Sequence, residues 1–461
     1  MKLRIDVLPD DILLEIFDFY MIMSLLSYGV KGEIEAWHPL VHVCRRWRTL
    51  VFLSPCRLNL QLCCTPKTPA KDTLDVWPAL PLIVRGSMSL SSSMDNITGV
   101  LRQNNRVCQL SLWGLGWQLE EVLAMMQVPF PELTDLQLFS DDETPPVIPD
   151  SFLGGSVPRL LIFELDGIPF PGLPKLLLSA NHLVRLLLSD IPHSGYIPPE
   201  AMIALLSVSS SLETLHLEFL SPQSCPESGE SRLLPPPKRS ILPALEVLRF
   251  KGVTEYLEDL VTRIDTPRLI KFHTTFFNQI DFDCPRLVQF IDCTPTLREL
   301  PKARVKFDFR FARVELSAGP RSLEIAISCR EPDWQLSSIT QVCNSSLPSP
   351  SMVEVLHIER RAGYLRHVWE NDAIESTLWL QVLLSFTAVK NLYLSKEFTP
   401  GIVTAVHELA GARMAEVLPS LENIFAERLK PSGQSSEKTK LVTVRLQSGH
   451  PIDTSGRRIY W

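Results

Sequence analysis

The chain has 461 residues, of which 45% are hydrophobic and 21% charged, and this composition excludes a chain that is disordered throughout. Its net charge of −7, without an extended basic stripe, argues against nucleic acid as a partner. Ten cysteines without a Cys-x-x-Cys pair, in a chain this long, argue against a small disulfide-stapled secreted domain. We therefore expect reduced thiols and a cytosolic or nuclear protein.

The first predicted element is an amphipathic helix that begins at Pro9. Proline suits the first helical position because its amide hydrogen is not needed there. Asp10 and Asp11 follow, where the positive end of the helix dipole favours carboxylates. Apolar side chains then recur at helical spacing, and they are Ile12, Leu13, Ile16, Phe17 and Tyr20.

A second segment, residues 40–51, repeats this spacing and predicts another short helix, which Ser54-Pro55 ends. Its apolar positions are Leu40, Val43, Cys44, Trp47 and Leu50. Arginines at 45, 46 and 48 lie largely on the other side, as expected for a solvated face. Both helices have more apolar surface than so small a piece can bury alone, which favours docking on a partner.

The pattern Leu-Pro-x-x-Ile-Leu-x-x-Ile-Phe, followed by Val-Cys-Arg-x-Trp-x-x-Leu, resembles the F-box motif over about residues 5–55. The resemblance implies an all-α F-box hairpin over residues 1–56, which would bind a Skp-type adaptor and, through it, cullin and RING subunits. The connection over residues 21–38 is longer than in many F-boxes, which leaves the angle between the helices open. The alternative is an ordinary helical hairpin that opens a larger domain.

This resemblance also predicts which side chains bind the partner. The expected adaptor contacts are Leu8, Pro9, Ile12, Leu13, Ile16 and Val43. Four further positions in the same binding element are expected to pack partly inside the F-box, and they are Phe17, Cys44, Trp47 and Leu50.

A Leu-x-x-Leu-x-Leu pattern or a variant of it recurs along the rest of the chain and predicts short half-buried strands. Between residues 107 and 217 the copies are about 23–29 residues apart, the spacing of leucine-rich repeats. Helical stretches at 119–126 and 199–206 separate some of the copies. The predicted strands lie at 57–62, 107–112, 133–138, 160–165, 183–188, 212–217, 245–250, 269–272, near 287, and at 323–325, 353–358 and 389–394.

These repeats predict an α/β fold in which an irregular leucine-rich-repeat-like solenoid spans residues 57–430. A doubly wound α/β domain is the alternative, but the chain has too many strands and no glycine-rich first turn. Residues 375–395 and 417–425 resemble the end of a large mushroom-type fungal family of F-box proteins with irregular leucine repeats. There we expect a helix, a strand and a second helix as a cap, with residues 431–461 as a C-terminal tail.

The sequence carries no motif for catalysis, for a cofactor or for a metal ion. His38 and His42 are four residues apart, but no acidic residue completes a metal-binding pattern, so we interpret them as surface histidines. We therefore expect no enzyme activity, no cofactor, no metal and no membrane partner. The predicted function is substrate recognition in an SCF-type ubiquitin ligase, with an unknown protein substrate held by the repeats. The alternative is a leucine-rich-repeat scaffold for protein interaction outside any ligase.

Overall fold

The structure, a computed structural model, describes residues 8–28, 37–88, 94–142, 144–222, 239–277, 284–345, 347, 350–360, 376–395, 398–399, 402, 417–427, 441–447 and 450–452. These residues form a mixed α/β fold, as the sequence predicts. The chain divides into two compact units, Met1–Ile197 and Pro198–Trp461. The division into an F-box domain, a repeat region and a tail stays a prediction.

Three helices open the first unit: α1 (Asp10–Tyr28), α2 (His38–Val41) and α3 (Arg45–Leu53). The second predicted helix is therefore wrong as a single element, because the chain leaves helical geometry between α2 and α3. Cys44 has an extended backbone (φ −160°, ψ 170°), and its sulfur accepts a hydrogen bond from the Trp47 amide at 3.5 Å. This contact satisfies an amide that has no partner within the first turn of α3.

The remaining helices and strands of the first unit alternate along the chain, except that β5 follows β4 without an α-helix between them. They are β1 (Leu62–Cys64), α4 (Ala70–Val76), β2 (Leu82–Ser87), α5 (Met94–Leu101), β3 (Val107–Gly114), α6 (Gly116–Met125), β4 (Asp135–Ser140), β5 (Ile162–Asp166), α7 (Leu173–Leu177) and β6 (Arg185–Ile191). Strands β1 to β6 pair in chain order, and every pairing is parallel.

The leucines of the repeated pattern form the core of this unit. Leu110, Leu136, Phe163 and Leu186 are register partners on neighbouring strands, and all four are buried. The leucine that precedes each strand is buried too, as at Leu160. Each repeat thus places two apolar layers against its neighbours, which explains why the Leu-x-x-Leu-x-Leu spacing recurs.

The second unit contains helices α8 to α12 and strands β7 to β19. The helices are α8 (Pro199–Val208), α9 (Thr254–Arg263), α10 (Pro285–Cys293), α11 (Pro332–Ser345) and α12 (Ser376–Leu384). The strands are β7 (Thr214–Phe219), β8 (Ser240–Ile241), β9 (Val247–Gly252), β10 (Ile264–Asp265), β11 (Lys271–Phe276), β12 (Lys302–Phe307), β13 (Phe311–Ala318), β14 (Arg321–Ser328), β15 (Val355–Arg360), β16 (Asn391–Leu394), β17 (Asn423–Glu427), β18 (Leu441–Gln447) and β19 (His450–Ile452).

An antiparallel three-strand meander interrupts the parallel order of this unit. Strand β13 pairs antiparallel with both β12 and β14, while β14 pairs parallel with β11 and β12 pairs parallel with β15. Gly319 has a positive φ of 62° in the tight turn between β13 and β14, a conformation that favours glycine. The parallel order then continues through β15, β16 and β17.

Three further predicted elements are wrong in place or type. Residues 57–59 lie in a turn in which Asn59 has a φ of 47°, and the strand begins only at Leu62. Leu287 lies in helix α10, where its backbone amide donates a hydrogen bond to the Glu258 carboxylate at 2.6 Å. Residues 417–425 lead into strand β17 rather than forming a helix, because Ile424 aligns with Leu392 in the ladder with β16.

The other predicted strands, the helices at 119–126 and 199–206, and the helix expected within residues 375–395 are confirmed. A search of the described helices found none with the length and hydropathy needed to cross a bilayer.

Candidate protein-docking face

Helix α1 carries two separate apolar faces. Leu13 and Phe17 are fully buried on one side, and the Phe17 ring meets the Trp47 ring edge-on with their centroids 4.7 Å apart. Ile12, Ile16 and Phe19 lie on the other side and are 46%, 43% and 65% exposed. Because an α-helix turns by about 100° per residue, the spacing i, i+4, i+7 aligns these three side chains along the helix.

Tyr20 and Met23 continue the same line at 40% and 44% exposure, so the exposed apolar strip extends over three turns. We call Ile12, Ile16, Phe19, Tyr20 and Met23 the α1 stripe. Asp11, Glu15 and Asp18 occupy the polar side of the helix. A helix on the surface of a domain usually has one apolar face, which packs on the core, so a second face with Ile12, Ile16 and Phe19 exposed is unusual.

Ion pairs fix α1 against the rest of the N-terminal region. The Arg46 guanidinium donates to the Asp10 carboxylate at 2.6 Å and to the Leu8 carbonyl at 2.5 Å. Arg57 donates to the Glu15 carboxylate, also at 2.6 Å. Each exposed pair contributes only about 0.2–1 kcal/mol, but together they fix the direction in which the stripe points. From the sequence we expected Arg46 to lie on a solvated face, and its ion pair with Asp10 was not predicted.

A cluster of aromatic rings joins α2 and α3 to Trp77, which directly follows α4. The buried Trp37 indole donates to the Gln61 carbonyl at 2.9 Å, and its ring lies 5.3 Å from that of Trp77. His38 and His42 are close, with 3.4 Å between their Nε2 atoms. Among the described residues no group of three or more potential metal ligands occurs. The interpretation of this pair as surface histidines stays a prediction.

The ten predicted partner-binding residues fall into three classes of exposure. The exposed ones are Pro9, Ile12, Ile16, Val43 and Cys44. Leu8 and Trp47 are half-buried, while Leu13, Phe17 and Leu50 are buried. Leu13 is therefore misassigned as a direct contact, because its side chain supports α1 from inside. Phe19, Met23 and Leu53 are also exposed, but they were not predicted as partner contacts, although Phe19 and Met23 continue the helical spacing of Ile12 and Ile16.

In the second unit, the polar face of the sheet carries charges that mostly neutralise each other. Arg304 lies 3.7 Å from the Glu315 carboxylate and 3.3 Å from that of Glu359. Beside them the rings of His357 and Tyr393 stack at 4.4 Å, within 6° of parallel. Burial lowers the pKa of His357, so its imidazole is less readily protonated than an exposed one.

The described cysteines are all free thiols. Burial raises the pKa of Cys108 to about 11, which keeps that thiol protonated and poorly nucleophilic at neutral pH. The sequence matches no protein-family model, and no curated protein is similar enough to it to count as a match.

Proposed function

We propose that this protein is the substrate-recognition subunit of a cullin–RING ubiquitin ligase, and that its α1 stripe docks on a Skp-type adaptor. One observation carries the proposal: α1 turns an ordered apolar stripe to solvent in addition to the apolar face that its own core uses. Contiguous exposed apolar surface of this kind marks a protein-interaction site.

The apolar side chains of the stripe are contiguous, as expected for the centre of a protein interface, and not scattered over the surface. Ile12, Ile16 and Phe19 stand side by side on a rigid helix, and Val43, 58% exposed, belongs to the turn before α3. Aromatic side chains and methionine are enriched at the core of protein interfaces. A stable dock buries roughly 1,200–2,000 Å² in total, so residues around the stripe, such as Pro9, would complete the contact.

The resemblance of residues 5–55 to the F-box motif supports the identity of the partner. We also propose that the repeated strands are leucine-rich-repeat-like units, which hold a protein substrate. Such a subunit needs no catalytic residues, because two binding sites on one chain raise the effective concentration of substrate near the ubiquitin-carrying enzyme. A cytosolic or nuclear location and the absence of a cofactor are part of this proposal.

The test is a double substitution in the stripe, Ile12→Lys with Ile16→Lys. Two buried ammonium groups have no partner in an apolar contact, so we expect binding to a purified Skp-type adaptor to weaken at least about 30-fold. Isothermal titration calorimetry with the full chain measures this change. Lysine favours helix formation, and both positions are exposed, so α1 should remain folded.

A matched control is Val128→Lys with Val147→Lys, which alters two β-branched side chains of similar exposure, 46% and 51%, outside the N-terminal helices. The control should bind the adaptor like the wild type. Equal binding by the stripe variant would refute the assigned docking face. Absence of any binding by the wild-type chain would instead favour the interaction scaffold outside a ligase.

A further inference from the structure

The second unit contains an open cleft of about 560 Å³ where strands β9 and β14 end and β13 begins. Three basic side chains line it: Lys251, Arg310 and Arg330. Glu331 is the one carboxylate among its lining residues. This excess of positive charge is local, because the whole chain has a net charge of −7.

Arg310 and Arg330 are the basic residues of the cleft that are most available to a ligand. Both are exposed, and among the described residues no carboxylate forms an ion pair with either guanidinium. The Arg310 guanidinium lies over the Phe309 ring, 4.9 Å from its centroid. Guanidinium groups bind carboxylates through two parallel N–H donors, and a stacked guanidinium loses less freedom on binding.

The backbone that bears these arginines is fixed before any ligand binds. The Cys329 amide donates to the Arg310 carbonyl at 2.9 Å, which joins the two chain segments side by side. The amide group of buried Gln335 then donates to the carbonyls of Asp308 at 2.8 Å and Cys329 at 2.6 Å. Arg310 and Arg330 are therefore held close together at one edge of the sheet.

Apolar side chains form much of the rest of the cleft. Leu220 and Trp334 are 55% and 52% exposed, and Phe277 lies between the ends of the strands. Small-molecule sites enclose most of their ligand in an apolar cavity. This cleft is open and combines exposed tryptophan with exposed arginine, the residue types that contribute most energy to protein–protein contacts.

We propose that this cleft binds an acidic peptide segment of a partner protein, with carboxylates on Arg310 and Arg330 and an apolar side chain against Trp334. The inference rests on the proposed function in one respect: the partner would be the ligase substrate. Peptide binding itself does not depend on the adaptor, so the two proposals can fail separately.

The experiment uses the immobilised full chain and a library of short synthetic peptides. Each peptide carries one central Leu, Phe or Trp, flanked by random positions that include Asp, Glu, Gln, Lys, Arg and phosphoserine. We expect enrichment of Asp and Glu beside the apolar residue. A selected peptide should bind at least about tenfold more weakly to the Arg310→Gln, Arg330→Gln variant, and more weakly to Trp334→Ala.

The matched control is Arg268→Gln with Lys302→Gln, which removes the same charge where strands β11 and β12 begin. It should bind the selected peptide like the wild type. Enrichment without acidic residues, enrichment of phosphoserine alone, or equal binding by the arginine variant would each overturn the proposal. The arginine variant should still bind the adaptor, while the stripe variant should still bind the peptide, which separates failure of one site from failure of the other.

Discussion

Replacing Phe163 by alanine is expected to lower the free energy of unfolding by about 3–5 kcal/mol. The ring is fully buried between Leu136 and Leu186, its register partners on the neighbouring strands. Truncation removes the largest side chain of this layer and leaves a cavity that the two parallel ladders cannot close. Urea denaturation followed by circular dichroism measures the loss, and hydrogen exchange of the β4 and β6 amides locates it.

The control for this change is Phe139→Ala, which removes the same side chain from the opposite face of the adjacent strand. Phe139 is half-buried, and its ring lies 6.2 Å from that of Trp113. We expect this variant to lose less than about 1 kcal/mol. Equal losses in both variants would contradict the assignment of the two sheet faces as core and surface.

Replacing Gln335 by alanine is expected to lower the free energy of unfolding by about 1–3 kcal/mol. Its side chain donates to the carbonyls of Asp308 and Cys329, so truncation leaves both acceptors without this donor. The turn before β13 would be held less firmly to the end of β14, where the backbone contact between Cys329 and Arg310 and the strand pairing would remain. Denaturation of the full chain measures the loss, and the acidic peptide should bind this variant more weakly.

Gln341→Ala provides the comparison, because Gln341 is exposed on the same helix, α11. Its loss should stay within about 0.5 kcal/mol. A Gln335 variant as stable as this one would show that the carbonyl contacts do not stabilise the fold.

Much of the fold could be predicted because one physical pattern repeats. In a strand with alternating leucines, only one register places all the leucines on the buried face of the sheet. Strands β3 to β7 follow this pattern, and they were predicted correctly. The meander of β12, β13 and β14 was not predicted as such. Its strands have the same alternation, but their order in the sheet depends on distant pairing partners that local patterning does not encode.

The candidate docking face could be predicted in part. The apolar spacing from Ile12 to Tyr20 predicted an amphipathic helix, but it could not show which apolar residues face the core. That division depends on Phe17 meeting Trp47, which lies thirty residues away in sequence. Leu13 was misassigned for this reason. The cleft proposed to bind an acidic peptide was not predicted, because its lining residues come from α11 and from the ends of five strands that only the sheet brings together.

Hydroxyl-radical footprinting with and without a purified Skp-type adaptor tests the central claim most directly. If α1 is the docking helix, labelling of Ile12, Ile16 and Phe19 should fall to near background in the complex. Labelling of Leu178, which directly follows α7 and is 47% exposed, should stay unchanged. Unchanged labelling of the three stripe residues at saturating adaptor concentration would contradict the account.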